Sequence, residues 1–128
     1  MPELIYIDTN VYLDYFMNRT KGMLSPEEIT YNILRRTLDC EFQIVLSDIL
    51  VVEIEKYVKK DKLRSILKWL RPKIKTIKLA REEIEDAKKM NIHFPDCLHI
   101  YIANKLDATL VSNDKKMQEF GAIPSHTL

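Results

Sequence analysis

Four short strand-like segments, residues 4–7, 42–46, 74–77 and 108–111, are separated by stretches of helical periodicity, with almost no hairpin signal between them. Strands that alternate with helices cannot pair as hairpins. Each must cross over to reach its neighbour, which implies βαβ units and a mostly parallel sheet of the α/β class. The first run, Leu4-Ile5-Tyr6-Ile7, has no charged residue inside it, as expected of a strand buried on both faces.

The intervening pattern predicts the helices. Residues 11–17 are apolar except for Asp14. A helix of that kind must be covered on more than one side; one side can be its own core, and the other could be a partner chain. After a loop over 18–24, Ser25-Pro26-Glu27-Glu28 reads as a helix start. Ser25 caps, Pro26 takes the first helical position and Glu28 completes a capping box. That helix runs to about 39. The next starts at Ser47 or Asp48 and runs to about 59. Another over 61–70 puts Leu63, Ile66, Leu67 and Leu70 on one face, and Pro72 ends it. Helices are also predicted over 80–90, 96–106 and 114–120, with a last edge strand around Ile123.

A chain of 128 residues suits one domain, 1–128, burying roughly two-thirds of its unfolded surface without disulfide or structural metal. The two cysteines, Cys40 and Cys97, lack metal-binding or redox spacing, so a reduced cytoplasmic protein is the expectation. No apolar run is long enough for a membrane span, and no secretory leader pattern is visible. The net charge of +1 is unevenly spread. Residues 55–78 carry ten basic and two acidic groups, among them Lys56, Lys59, Lys60 and Lys62. A basic segment in an otherwise acidic chain suits a polyanion such as RNA, or simply a solvated helix face.

Four carboxylates stand where apolar runs begin, break or stop. Asp8 closes the first run, Glu53 interrupts Ile49-Leu50-Val51-Val52 and Ile54, Asp96 opens a helix, and Asp114 follows the last strand. Each has an ordinary local explanation. Asp114 and Asp96 suit helix starts, Asp8 a turn, Glu53 a buried ion pair. Parallel sheets build sites at the carboxyl ends of their strands, where Asp8 and Asp114 both fall. Glu53, three residues after Leu50 and four before Tyr57, shares a face with both and should point inward. Converging carboxylates repel, so one of them is neutralised or a hard divalent cation, Mg²⁺ or Mn²⁺, compensates them. Such an ion suits phosphodiester hydrolysis.

The ordered motifs Ile7-Asp8-Thr9-Asn10-Val11, Ser47 through Glu53, Asp96-Cys97-Leu98-His99 and Leu110-Val111-Ser112-Asn113-Asp114 resemble those of PIN-domain ribonucleases. The likeness is greatest to the small VapC toxins of VapBC toxin–antitoxin pairs, and it covers essentially the whole chain. The resemblance implies a three-layer α/β/α sandwich. It implies a metal centre of Asp8, Glu53, Asp96 and Asp114. Asp8 and Asp96 would be the direct ligands, and Asp114 and Glu53 would act directly or through water. Thr9 and Ser112 match supporting hydroxyls and Asn10 a neighbouring polar residue. An RNA substrate, a homodimer and a protein antitoxin are further implications. Cys97 departs from the family, which often has Ala there, and affects packing only. His99 is expected to be a packed or hydrogen-bonded helix residue.

Two other readings compete. A catalytically silent RNA-binding module of the same fold would use the basic segment but has no need of the four acids. A phosphatase or receiver domain needs paired acids after the first strand, where this chain has Thr9 and Asn10.

Overall fold

Chain segments 2–16, 26–94 and 96–128 are described by the structure, a computed structural model. In order these form β1 (Glu3–Ile7), α1 (Thr9–Phe16), α2 (Pro26–Leu38), β2 (Phe42–Ser47), α3 (Asp48–Glu55), α4 (Lys60–Leu70), β3 (Ile74–Ile77), α5 (Arg81–Lys88), α6 (Asp96–Leu106), β4 (Thr109–Val111) and α7 (Lys115–Glu119). Single 3-10 turns precede β3 and close the chain. The expected loop 18–24, the Ser25 cap and the Glu28 side chain lie outside the described residues.

All four strands are parallel, in the order β3-β2-β1-β4. The apolar runs explain this. Ile5, Tyr6 and Ile7 of β1 and Ile44, Val45 and Leu46 of β2 are buried on both faces, which only a sheet covered on both sides allows. The chain steps from β1 to β2 to β3 in one direction, then returns across β1 to β4. Right-handed crossovers place helices of opposite steps on opposite faces. Accordingly α1 packs on α2 and α3, and α2 on α4, while α5 packs on α6 and α6 on β1 and β4. The result is the α/β/α sandwich. Ile123 adds one parallel bridge to Val111 rather than a strand.

The tight αβ connections explain how short elements fit together. Cys40, Asn91 and Asp107, each just beyond a helix, adopt positive φ of 67°, 57° and 53°. These are left-handed positions usually filled by glycine, of which the chain has only two. At Gly121, φ reaches 101° as the chain leaves α7.

One sequence expectation is corrected. The helix after β2 ends at Glu55, short of the predicted 59, and Tyr57 lies in the following turn, 62% exposed. The inward pull on Glu53 therefore comes from Leu50 and Ile54, both buried. The cover expected for α1 from the chain's own core is present. Val11, Tyr12, Leu13 and Phe16 are buried by the chain's own elements, with Thr30 Oγ1 of α2 donating to the Val11 carbonyl.

Candidate metal centre

The return of the chain from β3 to β4 creates a switch point between β1 and β4, where open parallel sheets form their clefts. Asp8 sits there. It follows β1 directly, is 4% exposed, and its backbone N–H donates to the Val111 carbonyl at the end of β4 (2.9 Å). Its carbonyl accepts from Val11 N at 3.1 Å, so it begins α1. Its carboxylate is held on both oxygens. Oδ1 accepts from Thr9 N (2.8 Å) and Oδ2 from Ser112 Oγ (3.1 Å).

Ser112 couples two acids. While donating to Asp8 it accepts from Asp114 N at 3.1 Å. The Asp114 side chain caps α7 through Lys116 N (2.9 Å) and is exposed. The capping role predicted for Asp114 and its place at the sheet edge are thus compatible. Asn10 lies exposed in the first turn of α1.

Glu53 reaches the edge from α3. Its Oε1 accepts from Thr9 Oγ1 (3.1 Å) and pairs with His99 Nε2 (2.7 Å). Asp96, the first residue of α6, is half-buried, one helical turn before His99. The four acids therefore come from four elements to one end of the sheet.

Their electrostatics record that convergence. Burial pushes the Asp8 carboxyl above its usual range, and Asp96 adds repulsion. His99 and the hydrogen bonds from Ser112 and Thr9 oppose the rise. Burial also raises Asp96, with repulsion from Asp114 and Glu53 opposed by His99 and His93. Among the described residues no Lys or Arg pairs with any of the four acids. Among the described residues, no three His, Cys, Asp or Glu side chains stand close enough, as placed, to enclose an ion. The four acids are nonetheless an all-oxygen, mutually repelling set with no Lys or Arg partner among the described residues. That donor chemistry suits a hard divalent ion.

One part of the site was not legible at first reading. Tyr6, two residues before Asp8 on the same strand face, is fully buried. Its hydroxyl meets Ser47 Oγ at 2.8 Å and His99 Nδ1 at 2.6 Å. His99 is itself fully buried, so the helix histidine links the sheet to Glu53. A buried tyrosine hydroxyl requires a partner. That requirement was the available signal.

The basic segment divides. Lys56 lines a groove of about 490 Å³ with Asp48, Ile49, Val52, Glu53, His93 and Phe94, so it stands beside the site. Lys59 and Lys60 are exposed at the start of α4. Lys62 instead donates to the Phe16 carbonyl (2.9 Å), tethering α4 to the end of α1. Cys40 and Cys97 are both free thiols. None of the described helices is long and apolar enough to cross a membrane.

Fold and acidic edge together define an α/β protein with a carboxylate site at the switch point of a parallel sheet. No protein-family profile and no curated protein matches the sequence. Among solved structures, the chain is similar to one in the crystal structure of VapBC2 from Rickettsia felis bound to a DNA fragment from their promoter. The two are 21% identical, with a TM-score of 0.63 over 94% of this chain and 96% of that one. It is also similar to PAE2754 from Pyrobaculum aerophilum, 16% identical, with a TM-score of 0.60 over 99% and 94% of the two chains. These likenesses show that the chain shares the fold of both.

Proposed function

We propose that the chain is a divalent-metal-dependent endoribonuclease, the toxin of a toxin–antitoxin pair. The observation that carries this reading is the acidic edge itself. Burial and mutual repulsion raise Asp8 and Asp96, yet no Lys or Arg among the described residues neutralises them. A fold that needed only stability would not keep such a set. The likeness to a VapBC2 chain supports the toxin part and an antitoxin partner. A homodimer is the assembly expected of this reading.

Asp8 and Asp96 would hold Mg²⁺ or Mn²⁺, with Asp114 and Glu53 completing the shell directly or through water. The ion, when bound, supplies an activated water and a clamp on the scissile phosphate. The chain's own residues prepare that chemistry. Thr9 N–H and the Ser112 hydroxyl fix both oxygens of Asp8. Thr9 Oγ1 and His99 hold Glu53 Oε1. Lys56 places a positive charge beside Glu53, where it attracts a flanking phosphate of RNA.

The second reading is a silent RNA-binding module. It is favoured by the spacing of the acids, no three of which enclose an ion as placed. Incubation of the purified chain with single-stranded RNA separates the two. The nuclease reading expects cleavage with Mn²⁺ that EDTA stops and Asp96→Asn abolishes. RNA retained without turnover at saturating Mn²⁺ supports the silent module. Cleavage that persists in Asp96→Asn removes Asp96 from the site.

A further inference from the structure

A continuous hydrogen-bonded chain runs beneath the acidic edge and ends on one of its carboxylates. From Ser47 Oγ it passes to the Tyr6 hydroxyl (2.8 Å), to His99 Nδ1 (2.6 Å), and from His99 Nε2 to Glu53 Oε1 (2.7 Å). Tyr6, Ser47 and His99 are 0–2% exposed. They come from β1, the end of β2 and α6, so the chain joins the sheet to the helix that carries Asp96.

Donor and acceptor counting sets its direction. The Glu53 carboxylate offers only acceptors here, so His99 Nε2 carries a hydrogen. Ser47 Oγ already accepts from Leu50 N at 3.1 Å, as the cap of α3. Its own hydrogen then points to Tyr6, and the Tyr6 hydrogen points to His99 Nδ1. The reverse direction would make Ser47 Oγ accept twice and leave its hydroxyl hydrogen with no acceptor among the described residues. Only the forward direction gives every buried hydrogen a partner. The tilted stacking of the Tyr6 and His99 rings, centroids 5.3 Å apart, holds the imidazole in that plane.

We propose that His99, held in its Nε2–H tautomer by Tyr6 and Ser47, is a positioning residue for Glu53. Thr9 Oγ1 and His99 Nε2 both meet Oε1. No hydrogen bond among the described residues engages Oε2. The arrangement fixes the carboxylate by one oxygen and keeps the other for the cation or its water. Ligand carboxylates oriented in this way typically lose about 10–100-fold in metal affinity or activity when the orienting group is removed. The proposal rests on the nuclease reading, but part of it stands apart from catalysis.

The test uses the full chain with ¹⁵N-labelled histidine. The sequence has three histidines, His93, His99 and His126, and only His99 is fully buried, so its ring signals stand apart. In metal-free protein, long-range ¹H–¹⁵N spectra should show His99 protonated on Nε2 and accepting on Nδ1. In Tyr6→Phe the Nδ1 resonance should move toward that of an imidazole nitrogen without a donor. Mn²⁺ alone, titrated by calorimetry, should bind Tyr6→Phe and His99→Leu about tenfold more weakly than the native chain. His99→Gln, whose amide supplies an N–H to Glu53, should recover most of that loss. With single-stranded RNA, kcat should fall in the same order while KM stays within about twofold.

A hydrogen on Nδ1 in the native protein overturns the proposal. So do native Mn²⁺ affinity in folded Tyr6→Phe and His99→Leu, and equal losses in His99→Gln and His99→Leu. If the native chain binds Mn²⁺ but cuts no RNA, the nuclease reading falls. The tautomer and Mn²⁺ arms then still decide the positioning role.

Discussion

Asp8→Asn should make the metal-free protein more stable while disabling it. Asp8 is 4% exposed, and its charge is opposed by burial and by Asp96. Asparagine removes that charge with little change of shape. Its Oδ1 can keep the Thr9 N–H, but its amide then faces Ser112 Oγ, which already accepts from Asp114 N, so the Ser112 hydroxyl hydrogen loses its acceptor and part of the gain is offset. Asparagine also serves as well at a helix start as aspartate does. The larger change is relief of a buried, repelled charge. Relief of a functional-site conflict is worth on the order of 1 kcal/mol, or roughly 3–5 °C in Tm for a chain of this size.

The pH dependence gives the sign. A carboxyl raised in the folded state binds more protons folded than unfolded, so stability falls as pH rises. The gain from Asp8→Asn should vanish near pH 3.8, the ordinary value for aspartate. It should grow as pH climbs through the raised folded value, then level off. The assay is paired thermal unfolding of native and variant chains in EDTA from pH 4 to 8, repeated with Mn²⁺. With ion at about 100 times its dissociation constant, the native chain should gain about 2.7 kcal/mol, which reverses the order of the two proteins. A variant less stable than the native chain in EDTA at neutral pH would refute the claim that Asp8 is an uncompensated charge.

Four further outcomes follow from the same geometry. Ser112→Ala removes a fully buried hydroxyl that donates to Asp8 and accepts from Asp114 N; urea unfolding should show a loss of about 1–3 kcal/mol. Leu98→Ala empties a fully buried position of α6, the helix that packs on β1 and β4; it should cost about 2–5 kcal/mol by the same assay. Charge reversal at Lys59 and Lys60, both exposed, should flatten the salt dependence of RNA binding by about one unit per lost phosphate contact. At Lys62, which is tied to the Phe16 carbonyl, reversal should instead lower stability. An unchanged slope after the Lys59 and Lys60 reversals would return those lysines to a solvated helix face.

Much of the frame was visible in the residues because burial on both faces leaves a plain mark. Uninterrupted apolar runs marked β1 and β2, and Asp96 and Leu106 bound α6 as its pattern predicts. The end of α3 was not visible. Nothing in Lys56-Tyr57-Val58 breaks helical periodicity, and the C-cap Lys56 keeps right-handed helical angles, so no cap residue announces the stop. Which residues of α1 the chain covers itself was not legible either, because sequence periodicity does not say which side of a helix faces its own core. The link through Tyr6 and His99 was obscured for another reason. A tyrosine inside an apolar strand and a histidine inside an apolar helix each look like packing. They become a pair only once β1 and α6 are in contact. Left-handed caps at Cys40 and Asp107 were likewise hidden, since glycine usually announces such positions.

The central claim is that Asp8 and Asp96 stand ready to hold one divalent ion. A crystal of the chain soaked in Mn²⁺, with data collected at the manganese edge, tests it most directly. The account predicts an anomalous peak between the Asp8 and Asp96 carboxylates, with Asp114 and Glu53 in its direct or water-bridged shell. Density elsewhere, or a fully occupied Mn²⁺ that touches neither Asp8 nor Asp96, would contradict it.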